Sequence, residues 1–438
     1  MASLLLGKSR EEWIKVCSSP GFCQDMDDSH MENTMHILSL SYYDLPCHLK
    51  TCLLHLCIFP DDSLIDKDYL IWKWIAKGFV EEKPGRGLFE AGEEYFHNLI
   101  NKSLIQGVDS EVYGIMDCCC IHDMVLDLIV SKSREANFVS DGTLSQSHTR
   151  RLAHKSTELD LTRDTHVNLP QVRSFIVWRC DIVKWALDPR FKLIRVLALE
   201  RCTIREGCHS LEHIGNLLHL RYLGIRCYSW VDELPEGLGA LKFLQTLNLE
   251  DTGTFDEMPC TIGKLTQLVC LRAPQISASV GVIGKLTSLE ELQIAGPGGS
   301  DEPRRQFVKE LGNLCELKVL KSDTTLKNIN ETMQTDLMQS LGNLQKMEHL
   351  TLGDSIRSTV NMKAWDAAVP SRDLRCLFLQ IISFPKLPSW IKSAHLPSLS
   401  HLEIHVHDLD KQGLVALGGL SELCYLRPKN IFNGNNNN

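Results

Sequence analysis

The sequence has no run of 18 apolar residues, and its apolar opening at Met1 to Leu6 is cut short by Lys8 and Arg10. A membrane-crossing helix needs about 20 such residues, and a secretory leader needs a longer apolar stretch than this one. The expectation is a chain without membrane insertion, in the cytoplasm or in cytoplasm and nucleus. Positive charge is not in surplus: 46 Lys and Arg stand against 55 Asp and Glu, a net charge of −9. That balance argues against a nucleic-acid or anionic-membrane surface for the chain as a whole. No Cys-x-x-Cys pair occurs among the 17 cysteines, an odd number. They read as reduced thiols acting as small hydrophobes in a reducing compartment. Cys118, Cys119 and Cys120, followed by His122, do not read as a zinc site, because successive strand residues point to opposite faces. His401 and His405 stand four residues apart on an extended strand, roughly 13 Å, too far to share an ion. No metal is expected.

What is present is an ordinary globular composition, 43% apolar and 23% charged over 438 residues. The first 36 residues are weakly patterned, with Ser, Asp and Gly running to Glu32 as a loop. Gly7-Lys8-Ser9 matches the end of a phosphate-gripping loop. That loop needs a glycine five residues before Gly7, where Ala2 stands, and a strand feeding it. It is not read as a nucleotide site.

From Asp44 onward the pattern sharpens. Asp44 is placed as an N-cap, Pro46 sits in the first turn, and Leu45, Leu49, Leu53 and Leu56 recur at helical spacing. Phe59-Pro60-Asp61-Asp62 stops that helix. A second helix is predicted from about Asp66 to Lys77, closed by Gly78, and a third from Leu88 to Asn101. Ser103 to Val108 and Glu111 to Ile121 read as a hairpin. Three helices and a hairpin make a winged helix. DNA binding is not expected of it, because the candidate recognition helix DKDYLIWKWIAK sets Asp66 and Asp68 against its lysines and carries two tryptophans.

From about Arg150 the phrase Leu-x-x-Leu-x-Leu recurs. Clear copies begin at Ile194, Leu220, Leu244, Leu268, Leu289, Leu317, Met347, Leu374, Leu399 and Leu423, in steps of 21 to 30 residues, with weaker copies near Thr149 and Val172. Period and phrase together predict a leucine-rich-repeat solenoid. Each repeat adds a short parallel strand whose leucines bury against the neighbours. The fold class is therefore an α/β repeat, a mostly helical winged helix followed by a solenoid with parallel strands on its concave face. Asp301 to Arg305 and Thr324 to Asp336 read as irregular insertions. Residues between the leucines should face a partner: Tyr222, Arg226, Asn248, Glu250, Gln293, His349, Phe378, Gln380, His401, Glu403 and His405. Exposed aromatics and arginine are the types that anchor protein interfaces. No catalytic constellation stands among them, so the chain is not expected to be an enzyme.

Four phrases in order, LSLSYYDLPCHLKTCLLHLCIFPDD, LIWKWIAKGFVEE, GEEYFHNLINKSLIQ and CCCIHDMVLDLI, span Ile37 to Ile129 and run into the repeats. This order resembles the nucleotide-binding, leucine-rich-repeat disease-resistance proteins of plants, in their cereal coiled-coil class. The resemblance places residues 1–36 as the end of a helical subdomain with a linker, 37–140 as the winged helix, 148–430 as the repeats and 431–438 as a disordered tail.

His122 and Asp123 stand where the hairpin ends and a helix begins. By its position alone His122 is either a structural residue of a helix start or a donor to an anion held there. The resemblance matches the pair to the family's Met-His-Asp motif, with Ile121 in the Met place. It implies that His122 senses the β-phosphate of ADP and that Asp123 helps hold the resting state. The family's P-loop, acidic Mg-binding strand and Gly-Leu-Pro-Leu segment are not among these residues. No cofactor is therefore expected for this chain alone, although the full-length family uses ADP and ATP. The resemblance further implies a plant immune receptor, or its sensing part, in defence. Its repeats would recognise a pathogen effector or a guarded host protein. A full-length receptor relative is a further expected partner, whose response this chain would dampen. The alternative is a leucine-rich-repeat scaffold with no immune role.

Overall fold

The computed structural model describes residues 30–61, 63–109, 115–140, 150–154, 158–160, 169–184, 190–204, 211, 213–227, 233–252, 257–322, 330–353 and 360–428. The phosphate-loop-like Gly7-Lys8-Ser9, most of the segment placed as a linker, and the Asn-rich tail lie outside these residues. The chain divides into two compact units. One holds Met1–Thr157, Asp164–Cys180 and Leu193–Leu197; the other holds the remaining residues, chiefly Ala198–Asn438.

The first unit contains the winged helix. Its helices are α1 (His30–Tyr43), α2 (Cys47–His55), α3 (Lys67–Lys77), α4 (Leu88–Asn101) and α5 (Asp123–Glu135). Helix α1 was not foreseen; residues to Glu32 had read as loop. Asp44 is also not the cap of α2. Pro46 holds that place in an extended conformation with no side-chain cap bond, while the Asp44 carboxylate accepts from Lys102 Nζ at 3.5 Å. The limits of α3 follow from its ends. Asp66 accepts the Tyr69 amide at 2.6 Å. Gly78 adopts φ 72°, the left-handed conformation that ends helices, and its amide donates to Ile75 at 2.9 Å. Between these ends Leu70, Ile71, Trp74 and Ala76 are fully buried.

The wing is a three-stranded antiparallel sheet. Strands β2 (Gln106–Asp109) and β3 (Met116–Cys120) form the expected hairpin, and β1 (Ile65–Asp66), too short to read from sequence, pairs with the other side of β3. The cysteine run alternates as a strand must: Cys119 is buried, Cys118 and Cys120 half-buried. Burial and the neighbouring Asp117 push the Cys118 thiol up to about 12. The described cysteines are free thiols. Among the described residues no helix is long and apolar enough to cross a membrane.

The repeats pair as parallel strands in one register. Leu223, Leu247, Leu271, Leu292, Leu320, Leu350, Leu377, Leu402 and Leu426 align across successive strands. All but Leu426 are essentially inaccessible. The weaker copies are also real, since Arg151–His154 pairs in parallel with Ser174–Trp178 within the first unit. The return segments are short 3-10 turns in the earlier repeats and α-helices later. Two of those helices correct the reading of insertions. Asp301–Leu311 is helical, with Asp301 and Glu302 in its first turn and Phe307, Val308 and Leu311 buried. Glu331–Asn343 is helical behind Asn330, whose side chain accepts the Met333 amide at 2.9 Å. Buried apolar residues over barely two turns leave too little period to stand out beside a Gly-Pro-Gly-Gly stretch.

Candidate functional site

Two groups of residues carry the expected chemistry, one in each unit. In the first unit His122 is the N-cap of α5. Its Nδ1 accepts the Met124 amide at 3.3 Å. That bond puts the ring proton of the neutral imidazole on Nε2, and the ring is exposed. His122 therefore presents an N–H donor beside the free amides of a helix start, where the dipole favours an anion. Asp123 is exposed in the same first turn. Ile121, in the Met place, is buried.

His122 lines the rim of a cleft of about 650 Å³. Leu38 of α1, Ile100 of α4, Met116 of β3, and Met124 and Val125 of α5 supply its apolar wall; Ser103 and Gln106 add polar groups. Gly107 lies where a Cβ would sit 2.6 Å from the Met116 sulfur, so a side chain there would displace the Met116 thioether that forms this wall. The cleft suits an apolar body with one anionic group at its edge. It lacks a nucleophile–base pair among its described lining residues.

In the second unit the strand face differs from expectation. Tyr222 and Phe378, placed as exposed anchors, are 0% and 1% exposed. Asn248, Gln293 and Glu403 are buried too, while Arg226, Glu250, His349, His401 and His405 are half-buried. Gln380 lies in the strand Cys376–Phe384. The physical reason is lateral. Neighbouring strands run about 4.8 Å apart, so a long side chain lies over the next strand and covers it. The Phe378 ring does so toward His349 of the strand before it, 5.4 Å away, while the Tyr222 ring lies along its own strand at Gly224, where a Cβ would come within 2.8 Å of Tyr222 Cε1.

The earlier repeats fill this face with a polar network. Arg272 grips Glu291 through two bonds, Nε to Oε1 at 2.6 Å and Nη2 to Oε2 at 3.2 Å, and Gln293 donates to Glu291 at 2.8 Å. Glu250 lies 3.9 Å from Arg272. Arg226 pairs with Asp251 at 2.5 Å and reaches the buried Glu200 at 4.0 Å. Burial works against the Arg226 charge, but Glu200, Glu250 and Asp251 outweigh it and hold the guanidinium above its usual range. Burial, with the Glu200 charge, pushes the Tyr222 phenol well up. The later repeats carry rings instead. His349 lies 5.4 Å from Phe378, and His401 stacks on Tyr425 at 6.0 Å. Arg272 and Glu200 were missed from sequence. The available signal was Arg272 standing one repeat before Glu291, a complementary pair across two strands.

Comparison with known proteins agrees with both units. The family described as disease resistance protein winged helix domain matches residues 58–129, and the leucine-rich repeat region family matches residues 171–436. Disease resistance RPP13-like protein 4 of Arabidopsis thaliana is 28% identical over 423 residues, covering 92% of this chain and 48% of that protein. Disease resistance protein Pik-2 of Oryza sativa subsp. japonica is 32% identical over 470 residues, covering 97% and 45%. The chain thus spans about half the length of these curated relatives. Among solved structures, the HAESA leucine-rich-repeat ectodomain of Arabidopsis aligns at 16% identity and TM-score 0.45, over 67% of this chain and 48% of that one. With a winged helix of their type joined to repeats that match along most of its length, the chain belongs to the nucleotide-binding, leucine-rich-repeat disease-resistance proteins of plants.

Proposed function

We propose that these residues are the sensing and regulatory part of an intracellular immune receptor. The strand face of the repeats reads a pathogen effector or a host protein that an effector has altered. The His122 site relays that event to a nucleotide switch. The observation that carries the relay is the His122 cap geometry: Nδ1 is committed to the Met124 amide, so Nε2–H faces outward at a helix start. That arrangement fits one phosphate contact, with the apolar cleft beside it. One bond to a charged group contributes about 1.5–3 kcal/mol, whereas micromolar affinity needs about 8 kcal/mol. The chain alone therefore holds ADP weakly or not at all, and no catalysis is assigned to it.

Calorimetric titration of the 438-residue chain with ADP tests the nucleotide half. Saturable low-micromolar binding that disappears in His122→Ala would contradict it. The receptor half is tested in leaf tissue. Expressed beside a full-length relative, the chain should dampen that relative's cell-death response by competing for its partner. Cell death triggered by the chain alone would rule this out.

A further inference from the structure

In this net-acidic chain, several basic residues of the first unit stand together with no carboxylate paired to them among the described residues. Arg150, Arg173 and Arg195 occupy the same place in three successive repeats, just before each strand. Their backbones are laddered: the Arg173 amide donates to the Arg150 carbonyl at 2.8 Å, and the Arg195 amide to the Arg173 carbonyl at 2.7 Å. Strand spacing sets the Cα atoms of such neighbours about 4.8 Å apart. Arg151 lies alongside, its guanidinium 5.5 Å from the Phe79 ring and 4.2 Å from Phe138. Lys77 Nζ lies 5.9 Å from the same Phe79 ring, and the buried His55 ring meets it edge-on at 6.0 Å.

Several other cations of this unit are paired. Lys67 holds Glu93 at 2.7 Å, Lys83 and Arg86 share Glu94, and Lys132 holds Glu135 at 2.9 Å. Lys77, Arg150, Arg151, Arg173 and Arg195 form no ion pair among the described residues. The His55 ring nitrogens have no hydrogen-bond partner there either. Burial, with Lys73 and Arg151 as like charges, pushes the Lys77 ammonium well below its usual range. Burial and the same cations push His55 down. The second unit shows that repulsion is not inherent to the ladder place. There four consecutive repeats alternate in sign at this place, Glu290 with Lys318 at 3.2 Å and Glu348 with Arg375 at 3.6 Å, after repeats in which Arg221, Gln245 and Val269 hold it.

We propose that Arg150, Arg173 and Arg195, with Arg151 and Lys77 behind them, form a binding site for a multiply charged anion of the phosphate class. Guanidinium forks at strand spacing offer parallel pairs of N–H donors, the geometry that phosphate oxygens accept. Arg150 and Arg173 are exposed and open the site to solvent; Lys77, Arg151 and Arg195 are half-buried, where an anion is less screened. The site is made of residues other than His122 and goes beyond the nucleotide reading given to that histidine.

The test is calorimetric titration of the full chain at fixed ionic strength with orthophosphate, pyrophosphate and tripolyphosphate. Binding should strengthen along that series. The exposed double variant Arg150→Gln/Arg173→Gln, checked for folding by circular dichroism, should lose at least about tenfold in tripolyphosphate affinity, the effect of one charge-assisted bond. A charge-matched control, Lys83→Gln/Arg86→Gln, at cations paired with Glu94, should bind tripolyphosphate as the parent does. Three results would overturn the proposal: no binding by the parent chain at millimolar tripolyphosphate, an unchanged double variant, or a loss in Lys83→Gln/Arg86→Gln equal to that in the double variant. Preference for a short DNA duplex over tripolyphosphate would overturn it as well, by making the ladder a nucleic-acid surface.

Discussion

The two units use one repeat framework, and three repeats of the first carry a different charge pattern from four consecutive repeats of the second. At the place before the strand, the second unit alternates Glu290, Lys318, Glu348 and Arg375, and each cation meets a carboxylate on the strand before it. The first unit puts Arg150, Arg173 and Arg195 in that place. On its strand face the second unit buries Arg272 gripped by Glu291, whereas the first unit leaves Lys77, at the end of helix α3, beside Phe79 with no ion pair among the described residues. The backbone geometry is common to both. Whether a surface satisfies itself or stays open to an outside charge is decided by side-chain sign alone.

This contrast can be broken hardest at Arg272. Arg272→Ala leaves Glu291 buried without its guanidinium, and breaking such a pair costs about 3–5 kcal/mol. Chemical denaturation should report it as a lowered midpoint of the second unit; a change below about 1 kcal/mol would mean the network contributes little.

The next effect lies in the first unit and is read by pH. The folded-state pKa of His55 lies well below its ordinary 6.5. Above pH 6.5 the ring is neutral folded or unfolded, and its contribution is fully present. As pH falls below 6.5 the unfolded chain takes up the proton first, so stability drops, by up to about 1.4 kcal/mol per pH unit. Thermal melts between pH 5 and 7 should show this slope, and His55→Phe should flatten it. An equal slope in that variant would assign the loss to other groups, such as His401, which burial also pushes down.

The smallest effect sharpens the comparison directly. Arg173→Glu gives the first unit the alternating pattern of the second, and opposite charges on adjacent strands contribute roughly 0.2–1 kcal/mol. Melting temperature should rise slightly while tripolyphosphate binding disappears. The converse, Glu348→Arg, should lower stability by a similar amount.

Much of this was readable from local pattern. Gly78 ends α3 and Leu88–Asn101 forms a helix as spacing predicted, and His122 sits at a helix start. The repeat phrase marked the strands because each leucine answers to a fixed place in a short repeat. Local pattern failed where the deciding contact came from elsewhere. Strand β1, two residues long, exists because β3 lies beside it. Helix Asp301–Leu311 is shaped by the three apolar residues it buries.

The sequence by itself determined the main elements of the winged helix, the leucine register and the family, since these rest on residues close together in the chain. Only the tertiary structure decided which residues of the strand face are buried and which are left half-buried. Tyr222 and Phe378 look like exposed anchors along their own strands, yet both are buried. Arg150, Arg173 and Arg195 look unrelated at their sequence separations, and strand pairing sets them side by side. Lateral packing joins residues a whole repeat apart, and no local spacing records which of them will meet.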